Sequence, residues 1–402
     1  MSTRADTTEI GTEPQAPEAV GRPATEEMVA KIREILRAWN AIVHEQIPRL
    51  ELFDAHTHLG HYDPDGMSQY PDELLSGLTS AGARGAFVFP MHEPEGYRAA
   101  NDMVLAAARD SDGALVAFCR VNPRDGDAVA EAERCLDAGA RGIKLHPRAE
   151  RFTLDHPGVA DLVALANERR LPVLIHAGRG IPALGTNAVQ LAGSYPEARL
   201  ILAHAGICDL SWIWRAAPDY PNLLFDTAWW MPTDLLSLFT LVPPGQIVFA
   251  SDSPYGSTLV SACFQLRLAL QAGLSDEQLR SIASGQALRL AAGEPLFPVG
   301  PAVGEREQAP HVLLDRLAQF VLLATIQLFR GGDASEMLAL ARLACDVPPE
   351  IDDAPVFAAV LRLLDLHERL AASDPADRRP RSLLILAATV ARTPAVPLPA
   401  LD

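Results

Sequence analysis

The sequence has few cysteines, and their spacing does not suit disulfides or a small metal cluster. The five cysteines are Cys119, Cys135, Cys208, Cys263 and Cys345. Their number is odd, they lie far apart and none forms a Cys-x-x-Cys pair, which excludes a disulfide framework and predicts reduced, mostly buried thiols. Such thiols are typical of a reducing compartment, so we expect a cytoplasmic protein.

Basic residues are also scarce. The chain has 34 lysines and arginines against 51 aspartates and glutamates, and its formal net charge is -17. A negative field of this size repels phosphate groups, which argues against a nucleic-acid partner and against an anionic membrane surface. We expect no membrane-spanning helix, because no apolar run is long enough, and no signal peptide, because the N-terminus lacks an apolar core.

The chain divides into five predicted segments. Residues 1–24 carry few large apolar groups and are expected to be disordered, whereas residues 25–49 space apolar side chains at helical intervals and predict an N-terminal helix. Residues 50–296 alternate short apolar runs with helical stretches, and residues 297–311 form a linker rich in proline and glycine. Residues 312–402 have helical patterns throughout and predict a C-terminal helical appendage.

The alternating segment predicts the fold. Its apolar runs are, in order, ELFDAH, GAFVFP, LVAFCRV, GIKLH, PVLIH, LILAH, LLFD and IVFAS. Continuous apolar strands separated by helices are typical of a parallel α/β sheet that is buried on both faces. Eight such units match a closed (β/α)8 (TIM) barrel. An open doubly wound sheet is the alternative, but no glycine-rich dinucleotide turn supports it.

Polar residues end several of these runs, and active sites of such barrels lie at the C-terminal ends of the strands. His56 and His58 end the first run and point to the same face of the strand, since side chains alternate along it. His176 ends the fifth run, and Asp252 ends the eighth. Imidazole nitrogens and a carboxylate, with one position left for water, suit zinc and similar ions. We therefore predict a metal site held by His56, His58, His176 and Asp252.

The motifs resemble those of the amidohydrolase superfamily, particularly its amidohydrolase-related branch of metal-dependent TIM-barrel hydrolases and related decarboxylases. The matching stretches are FDAHTHLG, RGIKLHP, PVLIHAG, LILAHAG and FASDSP, in the order and spacing of that family. The resemblance covers residues 50–295 and reaches neither the N-terminal tail nor the C-terminal helices. It departs from the family in SGQALRL, where relatives commonly carry Gly-Asn.

The resemblance implies roles for the residues at the matching positions. His56, His58 and His176 would be metal ligands. Asp252 would be both a ligand and the shuttle that moves a proton from the attacking water to the leaving group. His204, which ends the sixth run, would bind a second metal or hydrogen-bond the water. A divalent metal, with zinc favoured and manganese, iron or nickel as alternatives, would lower the pKa of its water and polarise the substrate.

Two further residues concern the metal site itself. In binuclear relatives a fourth-strand lysine is carbamylated and bridges two metals, and Lys144 ends the fourth run. In the branch that this sequence resembles, one ion is common and such a lysine binds an anionic substrate; an interior lysine paired with a carboxylate is the third interpretation. We favour one ion over two. Asp226, after the seventh run, is a candidate partner for a ligand histidine.

Other residues near the strand ends are candidates for substrate binding. Arg148 and Arg179 follow the fourth and fifth runs, and an arginine fork suits a carboxylate, although loop arginines are more often solvated or paired. His92, His146 and Trp229 also lie at strand ends or in the loops that follow. We predict that these five residues contact a small-molecule substrate, with a carboxylate favoured.

The predicted function is metal-dependent hydrolysis of a C–N or C–O bond in an amide, imide, ester or lactone. The first alternative is metal-dependent decarboxylation or hydration of an unsaturated or aromatic acid, because the same residues serve both reactions. A metal-free lactonase-type barrel and a non-catalytic scaffold or regulatory barrel are further alternatives, and the complete ligand set argues against both. A homodimer is the oligomeric state left open.

Overall fold

Short parallel strands form the centre of the fold. A computed structural model describes residues 23–64, 66–179, 183–304, 311–374 and 377–400. The strands are β1 (Leu52–Leu59), β2 (Ala83–Pro90), β3 (Leu115–Ala117), β4 (Cys119–Arg120), β5 (Ile143–Leu145), β6 (Pro172–Ile175), β7 (Arg199–Leu202), β8 (Leu223–Asp226) and β9 (Ile247–Val248). They form one sheet in the order β1-β2-β3 and another in the order β4-β5-β6-β7-β8-β9, and every pairing is parallel.

Backbone hydrogen bonds join the two sheets at both edges. β3 and β4 are halves of one predicted run, divided at Phe118, whose N–H still donates to a carbonyl of β2 at 2.9 Å. At the other edge, β1 bonds to the segment that follows β9. Ala55 N–H donates to the Phe249 carbonyl at 2.8 Å, and Asp252 N–H donates to the His56 carbonyl at 2.9 Å. The predicted (β/α)8 barrel is therefore confirmed.

Helices surround the barrel and continue beyond it. The helix before it is α1 (Pro23–Gln46), and residues 1–22 of the predicted tail lie outside the described residues. Those of the barrel are α2 (Pro71–Ala81), α3 (Arg98–Asp110), α4 (Ala128–Asp137), α5 (Pro147–Glu150), α6 (Pro157–Arg169), α7 (Gly185–Ser194), α8 (Leu210–Ile213), α9 (Pro232–Leu241), α10 (Thr258–Ala272), α11 (Asp276–Arg280) and α12 (Gln286–Ala292). Those after it are α13 (Val312–Phe329), α14 (Ser335–Ala344), α15 (Ala354–Ser373) and α16 (Arg381–Arg392).

Aromatic side chains fill the barrel next to the strand ends. The rings of Phe87 and Phe118 pack with their centroids 4.6 Å apart. Phe89, two residues further along β2, contacts the rings of His56 at 5.1 Å and His58 at 4.5 Å. This packing is buried, so it holds both histidine rings against an apolar surface and excludes water from beneath them.

Helix α1 and helices α13–α16 pack together beside the barrel. Ile32, Leu36 and Trp39 of α1 are buried in the same apolar cluster as Phe357 of α15 and Leu384 of α16. The amphipathic pattern that predicts an N-terminal helix therefore describes a face that packs against the C-terminal helices. The two ends of the described chain share one core beside the barrel, to which α2 and α10 of the barrel also contribute.

Arg267 of α10 holds this helical assembly to the barrel. Its buried guanidinium lies 5.1 Å from the centre of the Trp39 ring. It donates hydrogen bonds to the carbonyls of Pro397 at 2.7 Å and Val396 at 3.2 Å, and to Oγ1 of Thr393 at 3.3 Å. Burial lowers the pKa of Arg267 to about 10, and the carbonyls that surround the cation compensate for part of its lost hydration. The segment that follows α16 is thereby fixed to α10.

Helix α13 corrects one expectation from the sequence. Among the described residues, it alone is long and apolar enough by length and composition to cross a membrane, with 18 residues and a mean hydropathy of 1.6. The expectation that no such segment exists was wrong, because Asp315 and Arg316 interrupt the apolar run without lowering its mean enough. This is weak evidence for a membrane span, since core helices meet the same test, and α13 packs against α14 and α16.

Candidate active site

Three candidate ligand atoms converge at the C-terminal end of β1. His56 and His58 lie two residues apart on that strand, and Asp252 follows β9. The Nε2 atoms of the two histidines are 3.2 Å apart, and each is 3.1 Å from Oδ1 of Asp252. Such separations suit atoms that share one ion, since zinc bonds to nitrogen and oxygen are about 2.0–2.2 Å long. His56, His58 and Asp252 are named the ligand trio below.

Asp226, at the end of β8, fixes the tautomer of His56. Its Oδ2 lies 2.7 Å from Nδ1 of His56, and an ionised carboxylate only accepts hydrogen bonds, so Nδ1 carries the hydrogen and Nε2 presents a lone pair to the trio. Its Oδ1 accepts from the backbone N–H groups of His204 at 2.8 Å and Ala228 at 2.9 Å. Asp226 thus lies where a partner for a ligand histidine is needed.

His204 and His176 form an imidazole pair beside the trio. Nδ1 of His204 donates to the Ala228 carbonyl at 2.7 Å, so its Nε2 also presents a lone pair, and this atom lies 3.0 Å from Nδ1 of His176. The ligand atoms of His56, His204 and Asp252 all lie within 4.8 Å of one another. The geometry therefore places His204 close to two members of the trio, His56 and Asp252. His176, the fourth predicted ligand, contacts His204 and not the trio itself.

This donor set fits a divalent cation. Nε2 of His176 is buried and has no hydrogen-bond partner among the described residues. An unpaired buried polar group costs about 1–3 kcal/mol, which a bound ligand can offset. Nε2 of His56 and Nε2 of His58 each lie 3.1 Å from Oδ1 of Asp252, and a cation shared by the three atoms would satisfy them. Imidazole combined with carboxylate is a donor set that zinc and related ions accept.

Burial keeps several of these imidazoles neutral, which is the form that binds metal. It lowers the pKa of His58 to about 3. It also lowers the pKa of His204, and it lowers that of His176, with the charge of His204 adding to the effect.

His56 and Asp252 differ from them because, at these two groups, neighbouring opposite charges outweigh the effect of burial on the pKa. Burial and Lys144 act to lower the pKa of His56, but Asp226 and Asp252 outweigh them and raise it. Burial acts to raise the pKa of Asp252, yet the charge and hydrogen bond of His56, with a hydrogen bond from His58, hold it well below its ordinary value. Asp252 is therefore an ionised carboxylate, as a metal ligand or a proton acceptor must be.

Lys144 of β5 is buried against the trio. Its Nζ lies 3.4 Å from Nε2 of His56 and 4.6 Å from the centre of the Phe89 ring. Burial, aided by the charge of Arg120, lowers the pKa of Lys144 to about 7. Within the described part of the chain no carboxylate lies at ion-pair distance from Nζ, so the interpretation as a lysine paired with a carboxylate does not hold.

Left-handed backbone conformations place two of these side chains. His204, Ala205 and Asp252 have φ angles of 57°, 58° and 61°. This region is sparsely populated by residues other than glycine and costs about 1–3 kcal/mol per residue, and active sites are one place where such residues cluster. Gly178 leaves space for the His204 ring in this position, because a Cβ at residue 178 would lie 2.7 Å from Cδ2 of His204.

The trio lines a pocket of about 550 Å³, a size typical of small-molecule sites. The predicted substrate-binding residues all line it; they are Arg148, Arg179, His92, His146 and Trp229. Arg148 and Arg179 are exposed, and among the described residues neither forms an ion pair. The guanidinium of Arg179 lies 5.7 Å from the centre of the Trp229 ring. His146 stacks on His176, with ring centroids 3.9 Å apart.

A buried polar network in the same pocket was missed from the sequence. Arg120, at the end of β4, lines the pocket, and its Nε and Nη2 donate to Oε1 of Glu150 at 3.2 and 2.7 Å. The Tyr97 hydroxyl donates to the same oxygen. The available signal was Arg120 itself, a charged residue near the end of the otherwise apolar run LVAFCRV.

Imidazoles and carboxylates at the C-terminal ends of strands in a (β/α)8 barrel define a class of barrel proteins built to bind a divalent metal. The chain belongs to the amidohydrolase family: a family model described as Amidohydrolase matches residues 53–290. The resemblance drawn from the sequence motifs is thereby confirmed. None of the curated proteins compared with the chain matches it.

Solved structures share the barrel. One is 2,6-dihydroxybenzoate decarboxylase from Rhizobium, with 16% sequence identity and a TM-score of 0.50, which covers 60% of this chain and 99% of its own. Another is 5-carboxyvanillate decarboxylase from Sphingomonas paucimobilis, with the same identity, TM-score and coverage of both chains. At this identity the likeness concerns the fold alone.

Replacing Asp226 with asparagine is expected to weaken metal binding roughly 10- to 100-fold. The amide oxygen can keep the two backbone hydrogen bonds, but the amide nitrogen then faces Nδ1 of His56. His56 must give up the hydrogen on Nδ1 and carry it on Nε2, where it blocks the ligand lone pair. Competition with a chromophoric chelator for zinc measures the change in the dissociation constant.

Asp209→Asn is the matched control for this variant. Asp209 is also buried and accepts two backbone hydrogen bonds, from Leu184 at 2.9 Å and Gly185 at 2.8 Å, but it does not line the pocket. It should reduce stability without changing the zinc dissociation constant. Equal zinc affinity in Asp226→Asn and the wild type would show that His56 does not depend on this carboxylate.

Proposed function

We propose that the protein is a metal-dependent hydrolase that cleaves a C–N or C–O bond of a small molecule. The observation that carries the proposal is the convergence of the ligand trio, whose donor atoms lie 3.1–3.2 Å apart. The trio and His176 would hold the ion, with zinc favoured and manganese, iron or nickel as alternatives. When bound, the ion would activate water near neutral pH and polarise the scissile bond.

The residues around the ion then have separate tasks. Asp252, whose side chain is 22% exposed, accepts the proton of the attacking water and returns it to the leaving group. His204 accepts a hydrogen bond from that water through the lone pair of its Nε2. Lys144, when protonated, stabilises the negative charge that develops on the substrate.

The substrate proposed for this site is a small molecule with a carboxylate. Arg148 and Arg179 line the pocket, and neither forms an ion pair with a carboxylate of the described residues. A guanidinium binds a carboxylate through two parallel hydrogen bonds, so these arginines can orient an acidic substrate. Trp229, His92 and His146 would contact the rest of it.

The same arginines favour a second candidate, metal-dependent decarboxylation or hydration of an aromatic or unsaturated acid. A decarboxylase releases its substrate carboxylate as carbon dioxide, so in this candidate that carboxylate would lie at the ligand trio and the arginines would bind other acidic groups of the substrate. The protonated amine of Lys144, with Nζ 3.4 Å from Nε2 of His56, would then form an ion pair with that carboxylate. The two candidates differ in which bond breaks and share the residues that hold the substrate.

We further propose a cytoplasmic location and one ion per site. None of the five cysteines forms a disulfide and all but Cys208 are buried, which supports a reducing compartment. Nζ of Lys144 lies 4.6 Å from the centre of the Phe89 ring, a contact that suits an ammonium group better than a carbamate, which supports one ion over a lysine-bridged pair. Neither a nucleic acid nor a membrane is proposed as a partner, and a homodimer stays a proposal.

Metal content is the measurement that tests the centre of this proposal. We expect about one equivalent of divalent metal per chain in protein purified without chelators or a metal-binding tag, with the same value in Lys144→Met and His204→Ala. Two equivalents, with one lost in either variant, would show a bridged binuclear site. No metal, even after reloading with zinc or manganese, would refute the metal-dependent function.

A paired substrate panel then separates the reactions. Esters, lactones, imides and amides are scored by proton release, and aromatic and unsaturated acids by released carbon dioxide or by loss of the conjugated double bond. Turnover in the first group supports hydrolysis, and turnover in the second supports the alternative. Metal-loaded protein that turns over neither group would favour a non-catalytic barrel.

A further inference from the structure

The C-terminal helices contribute side chains to the pocket. Phe329, the last residue of α13, and Ile385 of α16 line it together with residues of the barrel. Both lie beyond residue 290, where the family match ends. The pocket is therefore completed by a part of the chain that the family model does not describe.

A row of aromatic rings connects the imidazoles to Phe329. The ring centroids of His204 and Trp229 are 6.5 Å apart, those of Trp229 and Trp230 are 6.1 Å apart, and those of Trp230 and Phe329 are 5.1 Å apart with the rings nearly perpendicular. Arg179 lies against the same Trp229 ring. Trp229, Trp230 and Phe329, named the aromatic row, thus run from a polar, cationic end of the pocket to an apolar end.

Ile385 extends the apolar end. Its neighbours Leu384 and Leu386 pack in the cluster shared by α1 and α13–α16. Ile385 instead packs in the barrel cluster that contains Phe264, and it is the one described residue of α13–α16 that does so. Its side chain therefore points from the appendage into the barrel and contributes an aliphatic surface to the pocket.

Two contacts hold this apolar end in place. Arg267 binds the carbonyls that follow α16, as described above, and Arg392 of α16 forms an ion pair with Asp315 of α13. Phe329 nevertheless remains 43% exposed, so much of its ring is left uncovered by the protein. An apolar surface that is fixed, open and part of a concave pocket is available to a ligand.

We propose that Phe329 and Ile385 determine substrate specificity by binding, with Trp230, the apolar body of a substrate whose carboxylate is held by Arg148 and Arg179. The inference rests on the proposed function and narrows its substrate class to carboxylates that carry an aryl or alkyl body. Burying that body against the aromatic row removes apolar surface of both partners from water.

Binding of simple carboxylates to the full-length protein tests this without any knowledge of the substrate. Acetate, benzoate and 4-phenylbutanoate are titrated into the wild type by isothermal titration calorimetry. We expect the dissociation constant to fall along the series. Phe329→Ala and Ile385→Ala are expected to raise it roughly 3- to 10-fold for 4-phenylbutanoate and less than twofold for acetate.

Leu323→Ala is the matched control. Leu323 lies on the same helix and is 48% exposed, close to the exposure of Phe329, but it does not line the pocket. It should leave all three dissociation constants unchanged. Phe329→Leu and Ile385→Val, which keep an apolar side chain, should give smaller losses of the same selectivity and serve if the alanine variants do not fold.

The opposite outcomes overturn the inference. They are equal losses for acetate and 4-phenylbutanoate, a loss in Leu323→Ala as large as in Phe329→Ala, or no binding of the aryl probes to the wild type. Since the readout is binding and not turnover, selective losses in a protein without metal or activity would uphold the specificity residues and refute the proposed function. A metal-loaded, active protein whose variants show no selective loss of binding would uphold the proposed function and refute the role of the specificity residues.

Discussion

Asp252→Asn is expected to lower kcat by roughly 10²- to 10⁴-fold on whichever substrate the panel identifies. Asparagine has almost the same shape, and its amide oxygen can still bind the ion, but it cannot accept a proton at neutral pH. In the wild type the Asp252 carboxyl is held ionised, because His56 and His58 keep its pKa well below the ordinary value. Steady-state kinetics and metal analysis of the same sample measure both roles.

The control for this variant is Asp276→Asn. Asp276 is an exposed first-turn residue of α11, and the substitution removes the same charge away from the pocket. It should leave kcat within about twofold, as surface substitutions usually do. A kcat for Asp252→Asn within tenfold of the wild type would rule out the proton shuttle. If the variant lost its metal together with its activity, the result would support a role for Asp252 as a ligand but not as a proton shuttle.

Lys144→Met is expected to stabilise the metal-free protein while it impairs activity. Burial and Arg120 lower the pKa of Lys144 from 10.5 to about 7, so folding at neutral pH must bury a cation or remove its proton. Each pKa unit corresponds to about 1.4 kcal/mol, so methionine should raise the free energy of unfolding at pH 7 by on the order of 4 kcal/mol. Urea unfolding followed by tryptophan fluorescence measures this difference.

The pH dependence gives the sign of the effect. Between pH 7 and pH 10.5 the unfolded lysine binds more protons than the folded one, so the destabilisation that Lys144 causes in the wild type decreases as the pH rises across this window. The advantage of methionine is therefore largest at and below pH 7, and it shrinks as the pH approaches 10.5. Lys31→Met, at an exposed lysine, should show no such trend. A constant advantage from pH 7 to pH 10 would point to packing and not to the charge.

The barrel and the positions of the candidate metal ligands follow from short-range patterns in the sequence. Each strand is buried on both faces and reads as an apolar run, and each run ends where the chain leaves the barrel. His56 and His58 share a face because side chains alternate along β1. Asp226 and Asp252 end other strands of the same barrel, so the prediction of a barrel also predicts that these side chains converge.

Other features depend on packing that no local pattern records. Arg120 and Glu150 are 30 residues apart and meet only because β4 and α5 are neighbours in the barrel. Phe329 and Ile385 belong to helices whose periodicity shows that they bury a face but not which surface covers it. The contact of His204 with His176 likewise depends on left-handed turns that the residues themselves do not favour.

The buried amine beside the ligand trio has a consequence for chemical labelling. The chain contains only two lysines, Lys31 on the surface of α1 and Lys144 in the pocket. With its pKa lowered to about 7, the Lys144 amine is a free nucleophile in a large fraction of molecules at neutral pH, whereas an unperturbed lysine is almost fully protonated there. A small aldehyde that enters the pocket should therefore be trapped at Lys144 by mild reduction, which would mark the site in a peptide map before any substrate is known.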